Sequence, residues 1–145
     1  VWRDIKRMRL SEEELADYEL IPGDLLVNRV NSRELVGKTT VIPQGLERLV
    51  FESKNIRLRL KRELALPKFV NYQLLFGGQR HFSSNAQQVV GMASISQKQL
   101  ADFPIVLPSL SDQERVVAEI DKQFSRLDGA VANLKRVKAN LKRYK

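Results

Sequence analysis

The last third of the chain carries its most regular pattern of apolar residues. Apolar side chains recur at alternating intervals of three and four at Val117, Ile120, Phe124, Leu127, Val131 and Leu134. This is the spacing of the seam along which two helices pair in a coiled coil. Beyond Leu134 the series shifts by one position, because Val137 and Leu141 continue it while Lys138 occupies the place of the earlier register. The spacing predicts one long helix over 111–145.

A helix of this length spans about 50 Å, and a small domain alone cannot cover a narrow apolar seam along so long a rod. We therefore predict that it pairs with another helix, from the same chain or from a partner. A helix that folds back onto its own domain is the alternative. The predicted pairing residues are Val117, Ile120, Phe124, Leu127, Val131, Leu134 and Leu141.

A proline-containing segment separates this helix from the rest of the chain. Pro104 and Pro108 favour extended backbone and remove amide donors. Ser111, followed three residues later by Glu114, has the pattern of a capping box and predicts the start of the helix. These signals divide the chain into a domain over 1–110 and a helix over 111–145.

The first 110 residues alternate short apolar runs with turn residues, which predicts strands in 25–30, 35–42 and 49–60. Gly37 lies inside the second of these and marks a bulge or a close approach of backbone. In the third, Ile56 and Leu58 alternate with Arg57 and Arg59, a period of two with one buried and one basic face.

Helices are predicted between and beside these strands. Ser11 with Glu14 and Ser96 with Gln99 are capping-box patterns for two short helices. A third helix begins at Pro67 and ends at the pair Gly77-Gly78. The polar stretch that follows, 79–88, is interpreted as a loop. The predicted fold class is therefore a mixed α/β domain followed by one long helix.

The amino-acid composition limits the classes of function that fit this chain. Lys and Arg number 25 against 17 Asp and Glu, a net charge of +8 and a pI of about 10.0, which favours a polyanionic partner. The chain has no Cys and one His, so thiolate chemistry is excluded and a His-based zinc site is disfavoured. No apolar run approaches the roughly 20 residues of a membrane span. We expect a cytoplasmic protein that acts away from the membrane.

Two predicted loops carry the residue types that contact DNA. Arg reads guanine, Asn and Gln read adenine, and Lys and Arg hold phosphates. The stretches 29–38 and 79–88 are rich in these residues, and neither contains more than one acid. The predicted DNA-contacting residues are Arg29, Asn31, Arg33, Lys38, Arg80, His81, Asn85, Gln87 and Gln88.

Two other functions stay open at this point. Asp24, followed by Glu52 and Lys54, loosely resembles the Asp … Glu-x-Lys pattern of magnesium-dependent nucleases, in which two carboxylates hold the metal and Lys helps activate water. As a turn residue, Asp24 is equally explained by bonding its own backbone. The second alternative is an assembly scaffold that binds only through its helix. The sequence contains no Gly-rich phosphate loop, and it places no carboxylate to orient His81 as a base.

The run 91–128 resembles the specificity subunits of type I restriction–modification enzymes. The resemblance is carried by a Gly-x-Ala-x-Ile-Ser-x-x-x-Leu stretch, an extended Phe-Pro-Ile-x-Leu-Pro segment and a Gln-Glu-Arg start to a long helix. In this chain these residues are Gly91, Ala93, Ile95, Ser96, Leu100, Phe103, Pro104, Ile105, Leu107, Pro108, Gln113, Glu114 and Arg115. Upstream, 23–26 and 36–38 look like the family's Gly-Asp-x-Leu and Val-Gly-Lys segments.

The resemblance implies a non-catalytic, DNA-recognising subunit with no cofactor of its own. In such enzymes target-recognition domains read double-stranded DNA, and long helices join them as an antiparallel coiled coil. Methyltransferase subunits, which use S-adenosylmethionine, and ATP-driven restriction subunits are the implied partners. Because this sequence contains one such domain and one such helix, we expect a partial subunit whose recognition domain is incomplete at its N-terminus, and a homodimer through the helix.

Overall fold

The structure, a computed structural model, describes residues 5–89 and 91–143, without the side chains of Asn85, Gln88, Val89 and Arg143. The helices are α1 (Glu12–Tyr18), α2 (Pro67–Gln73), a π-helical turn (Leu74–Gly78), α3 (Gln79–Asn85), α4 (Gln97–Ala101) and α5 (Leu110–Arg143). The strands are β1 (Glu19–Leu20), β2 (Leu25–Asn28), β3 (Val30–Asn31), β4 (Thr39–Val41), β5 (Leu49–Val50), β6 (Asn55–Leu58), β7 (Gln87–Val89) and β8 (Met92–Ser94). The predicted mixed α/β domain with a long C-terminal helix is confirmed.

The strands form three small antiparallel sheets. One pairs β1 with β5, the second has the order β4-β2-β6, and the third has the order β3-β8-β7. In the second sheet Val27 lies opposite Ile56, and both are buried. Ile56 alternates with Arg57, which donates to the Glu19 carbonyl (2.7 Å) and lies over the Phe51 ring. The predicted alternation of a buried face with a basic face is therefore present in β6.

One apolar cluster joins the second and third sheets to the helices. It contains Leu25, Val27, Val36, Ile56, Ala65, Val70, Leu74, Phe82, Ala93, Ile95 and Leu100. Phe82, the largest of these side chains, is fully buried. Its ring lies 5.5 Å from that of Phe103, measured between centroids. Because both aromatic rings pack here, helix α3 is held against the strands that follow it.

The glycine pair does not end the third predicted helix, and the prediction of a loop over 79–88 is wrong for most of its length. The chain continues through the π-helical turn into α3 and then into β7. A Cβ on Gly78 would lie 2.9 Å from the Phe82 ring, and one on Gly77 would lie 3.3 Å from Phe103. These glycines therefore permit close helix packing. The widened π turn accommodates the change of face between α2 and α3.

Gly37 lies in a turn and is approached closely by the side chain of Phe82, not by a backbone or a ligand, and the prediction of one strand over 35–42 is too long. Residues 33–37 form turns and only Thr39–Val41 pairs with β2. Gly37 has a φ of +79°, and a Cβ there would lie 2.3 Å from the Phe82 ring. Its amide donates to the Asn28 carbonyl (2.8 Å). The turn is thus fixed between β2 and the buried aromatic.

Helix α5 begins one residue before the predicted boundary, and the predicted capping box of Ser111 with Glu114 is wrong. Ser109 caps the helix instead, because its Oγ accepts from the Asp112 amide (3.2 Å) and donates to the Asp112 carboxylate (2.7 Å). The proline segment ahead of it lies along α2. There the Gln73 side chain donates to the Val106 carbonyl (2.8 Å) and accepts from the Val106 amide (3.0 Å).

Gln113 attaches the first turn of α5 to the domain. It is fully buried, accepts from the Leu66 amide (2.8 Å), and donates to the Leu64 and Pro108 carbonyls (2.9 Å each). Three backbone groups from two separate segments therefore depend on one side chain.

A second attachment lies two turns further along α5. Asp121 accepts from Lys68 Nζ and from the Tyr72 hydroxyl, both at 2.5 Å. These hydrogen bonds from Lys68 and Tyr72 hold the pKa of Asp121 below its usual value, while burial and the neighbouring carboxylate raise the pKa of Tyr72 to about 12. Tyr72 also packs against Phe124 at 6.1 Å between ring centroids.

Beyond these contacts α5 extends away from the domain. Every residue of 122–142 is exposed, and the seam residues Leu127 and Leu134 keep 58% and 69% of their side-chain surface. The fold-back alternative is therefore wrong for this part of the helix, and pairing with a second helix stays a prediction. In the described residues no helix is both long and apolar enough to cross a bilayer.

Candidate nucleic-acid interface

The two segments predicted to contact DNA meet in one sheet. The first segment supplies β3 and the second supplies the start of β7, and both strands pair with β8, which lies between them. Gln79 at the start of α3 donates to the Glu34 carbonyl (2.8 Å), so the turn of the first segment is also tied to the helix of the second. Two segments that are well separated in the sequence are therefore parts of one surface.

The register of this sheet assigns its residues to two rows. Val30, Ser94 and Gln87 form one row, and Asn31 and Ala93 belong to the other. Residues directly opposite each other in paired strands share a face of the sheet. Because Ala93 is buried, Asn31 lies on the core side, where it is half-buried and its Oδ1 accepts from the Ser32 amide (2.8 Å). Gln87 is exposed and lies on the outer row.

All four predicted basic residues, Arg29, Arg33, Lys38 and Arg80, are exposed. Arg33 lies beside the middle strand, where it lines a small cleft with Gly91, Met92 and Ala93. Arg29 has a structural contact, because its Nε donates to the Ile95 carbonyl (3.2 Å). Exposed guanidinium and ammonium groups on turns and a helix are free to reach phosphate oxygens or base edges.

The other predicted residues are less exposed to solvent, or their side chains lie outside the part of the chain that the structure describes. His81 is half-buried, with its ring edge-on to Phe82 and Phe103 at 5.4 Å between centroids. The prediction that it lies in a loop is therefore wrong, because it lies in α3, which turns it toward these rings. The side chains of Asn85 and Gln88 lie outside the described part of the chain.

Sequence reasoning missed the middle strand of this surface. Met92 and Ser94 of β8 lie between the two predicted segments, and Met92 is exposed. Strand β8 is only three residues long and carries no charge. The one signal for it was the Gly-x-Ala pattern at Gly91 and Ala93, which was interpreted as a family motif and not as part of a contact surface.

The residues of the nuclease alternative have structural contacts or lie exposed. Asp24 is buried, and Arg59 Nε and Nη2 donate to its two oxygens at 2.9 and 2.7 Å. The Ile21 amide donates to the same carboxylate (3.0 Å). Glu52 and Lys54 are exposed. Among the described residues no three acids, His or Cys gather as a metal site would require.

The pKa of Asp24 reflects these contacts. Burial raises the pKa, but the hydrogen bonds from Arg59 and the Ile21 amide, with the charges of Arg59 and Arg57, hold it below its ordinary value. The carboxylate is therefore ionised and fully engaged in fixing the turn before β2.

A cleft of about 880 Å³ lies apart from this surface. It is lined by the N-terminal segment 5–10, Leu15 of α1 and 46–50. None of the nine predicted DNA-contacting residues lines it. The candidate interface is therefore identified by its exposed basic groups and its strand pairing. It is not identified by the presence of a cleft.

Comparison with known proteins gives the class. The chain is 32% identical over 123 residues to a protein of Methanocaldococcus jannaschii named as the specificity subunit of the type I restriction enzyme MjaX, covering 84% of this chain and 29% of that protein. It is 30% identical over 128 residues to the EcoKI specificity subunit of Escherichia coli K12, covering 86% and 27%. The StySPI specificity subunit of Salmonella potsdam is 27% identical over 125 residues, covering 85% and 27%. No protein-family model matches the chain.

The mixed α/β domain, the long helix and these similarities define a type I restriction enzyme specificity subunit. The chain belongs to that family and corresponds to part of such a subunit, since it spans less than a third of the length of the relatives it matches.

Proposed function

We propose that this chain recognises a sequence in double-stranded DNA on behalf of a type I restriction–modification system and is not itself an enzyme. The domain over 1–110 is the recognising unit and the helix over 111–145 is the spacer. The observation that carries the proposal is the β3-β8-β7 sheet, which joins two basic segments into one exposed surface. The similarity to specificity subunits supports the same function.

The contact surface consists of Arg29, Asn31, Arg33, Lys38, Arg80, His81, Asn85, Gln87 and Gln88. Within it, Arg33, Lys38 and Arg80 hold phosphates or guanine edges, because they are exposed and belong to the two segments that the sheet joins. Arg29 and His81 act mainly by positioning the turn and helix α3. A single acid, Glu34, lies in the two segments, so the surface attracts a polyanion.

The partners follow from the division of labour in such systems. Methyltransferase subunits dock beside the coil and modify DNA, and restriction subunits cleave it, while this chain directs both to the site. The exposed seam of α5 pairs with a second helix as an antiparallel coiled coil. For this chain by itself we propose a homodimer, because the seam residues beyond Phe124 are exposed among the described residues.

DNA binding is tested with single substitutions on the sheet surface. A duplex selected from a random pool by the unaltered chain serves as the labelled probe, and affinity is measured by fluorescence anisotropy at several salt concentrations. Arg33→Ala and Arg80→Ala are each expected to weaken binding about 10-fold, because each removes one base or phosphate contact. Lys61→Ala removes one exposed positive charge outside the two segments and is expected to leave affinity within about 2-fold.

Affinity that does not fall with rising salt would contradict the proposal, because phosphate contacts release counterions. An assembly scaffold would show no DNA binding in any variant. Cleavage of the probe in the presence of magnesium would contradict the assignment of a non-catalytic role.

Pairing through α5 is tested by placing a charge in the seam. Leu127→Asp is expected to weaken self-association at least about 100-fold, because two carboxylates would be buried in one interface without partners. Ala132→Asp adds the same charge on an exposed face outside the seam, and its association constant is expected to stay within about 3-fold. Sedimentation equilibrium measures both. Equal effects from the two substitutions would show that the seam is not the pairing face.

A further inference from the structure

The two halves of α5 differ in how their charges are arranged. In the first half, Asp112 accepts from Arg115 (2.8 Å) and Glu119 lies 3.6 Å from Lys122. The second half, 129–143, contains five Lys and Arg and no acid. Its described residues are exposed throughout. A positive surface without intrahelical partners therefore occupies the far end of the rod.

The three lysines of this end form a stripe beside the seam. Lys135, Lys138 and Lys142 each follow directly after a seam residue, Leu134, Val137 and Leu141. One residue corresponds to about 100° around a helix, so the lysine stripe lies next to the seam but outside it. A second helix that covers the seam leaves these ammonium groups accessible.

The same face of α5 is acidic nearer the domain. The positions that follow Ile120 and Leu127 are Asp121 and Asp128. Asp121 points to the domain, where it is bonded to Lys68 and Tyr72. Because a helical face drifts by only about 20° per seven residues, Lys135 lies within about 40° of Asp121 around the axis. At about 100° per residue, Lys142 lies about 60° and Lys138 about 100° from Asp121 around the axis. Lys135 and Lys142 therefore lie on the half of the rod that faces the domain, Lys138 lies at the edge of that half, and Lys142 is about 32 Å beyond Asp121 along the axis.

We propose that the lysine stripe, Lys135, Lys138 and Lys142, binds backbone phosphates of duplex DNA that extends beyond the segment contacted by the domain. The inference rests on the proposed recognition of DNA by the domain and adds a second, sequence-independent contact site. Lysine ammonium groups are point charges on flexible stems, which suits phosphate contacts that need no fixed geometry. The stripe lengthens the footprint on DNA and strengthens binding without reading bases.

An acidic stretch on the paired helix of a second copy is the competing occupant. The same face offers Asp121, which is already bonded by Lys68 and Tyr72, and Asp128. At most one free carboxylate on that face is therefore available to three lysines. Duplex DNA presents one negative charge per about 1.7 Å of its axis and matches a stripe of this length.

Two triple variants of the full chain test the inference. Lys135→Gln with Lys138→Gln and Lys142→Gln removes the lysine stripe. Arg115→Gln with Lys122→Gln and Arg126→Gln removes three positive charges from the first half of the same helix. Both variants lower the net charge from +8 to +5, so any general effect of charge is matched. The probe is a 40-base-pair duplex of mixed sequence, with affinity measured against salt concentration.

Loss of the stripe is expected to reduce the slope of log affinity against log salt by about 2.7, three phosphate contacts at about 0.9 each. The matched variant is expected to change the slope by less than about 1. Equal slopes in the two variants, with salt-sensitive binding by the unaltered chain, overturn the inference and leave the proposed function standing. An unaltered chain without salt-sensitive binding overturns the proposed function itself. Weaker self-association of the stripe variant with an unchanged slope assigns the lysines to helix pairing and also overturns the inference.

Discussion

Gln113→Ala is expected to destabilise the protein by about 3 kcal/mol and to loosen the base of α5. The substitution removes a fully buried side chain and leaves the Leu66 amide and the Leu64 and Pro108 carbonyls without their partner. An unsatisfied buried polar group costs about 1–3 kcal/mol, and water recovers part of that cost where the segment is exposed. Urea denaturation followed by circular dichroism measures the free energy of unfolding.

Gln123→Ala is the matched control. Gln123 lies on the same helix and donates only to the exposed Glu119 carboxylate, so its removal is expected to change the free energy of unfolding by less than about 0.5 kcal/mol. Equal losses from the two substitutions would mean that the buried hydrogen bonds of Gln113 contribute no net stability, since Ala is the better helix former at both positions. Hydrogen exchange should also show faster exchange at the Leu66 amide in Gln113→Ala and no change there in the control.

Gly37→Ala is expected to cost about 3–4 kcal/mol, the second large effect. Part of the cost, about 1–2 kcal/mol, comes from placing a Cβ on backbone with a φ of +79°. The rest comes from overlap, because the new methyl group would lie 2.3 Å from the ring of Phe82, which is fully buried and cannot swing away. Thermal and urea unfolding measure the loss.

Gly45→Ala separates the two contributions. Gly45 has nearly the same φ, +78°, and no heavy atom within 4 Å of its Cβ position. It is therefore expected to show only the backbone cost of about 1–2 kcal/mol. If Gly37→Ala is no more destabilising than Gly45→Ala, Phe82 is not the fixed neighbour that the packing implies.

Local signals predicted those parts of the fold that local interactions determine. The capping boxes at Ser11 with Glu14 and at Ser96 with Gln99 are both formed, because their hydrogen bonds join residues three apart. The alternation of basic and apolar residues in β6 was likewise predicted from the sequence of that strand alone. These elements need no information about distant partners.

Elements that depend on distant packing were predicted less well. Gly77 and Gly78 are typical of a helix end, yet here they make room for Phe103 and Phe82 inside a continuing helix. The start of α5 shifted by one residue because Ser109, and not Ser111, reaches the Asp112 amide. The contact of Gly77 with Phe103 joins segments whose proximity no local pattern reveals, whereas the start of α5 was misplaced between two nearby serines that both precede acidic residues.

In the candidate site, too, some features were predicted from the sequence and others were not. Residue type and net charge were sufficient to select Arg33, Lys38 and Arg80, all of which are exposed. They were not sufficient to find that β8 joins the two segments, or that α3 turns His81 toward Phe82. Strand order and the facing of a helical residue follow from tertiary packing, which composition does not encode.

Side-chain contacts along its first half attach α5 to the domain and leave its second half as a free arm. Gln73 holds the approach to the helix and Gln113 holds its first turn, and Asp121 and Phe124 make the last contacts with the domain. Over the roughly 27 Å from Phe124 to Lys142, a tilt of about 10° at these contacts displaces the end of the helix by about 5 Å. Along a DNA duplex that displacement would correspond to between one and two base-pair steps, at about 3.4 Å each. A few side-chain contacts thus set the direction in which the exposed end of the helix points.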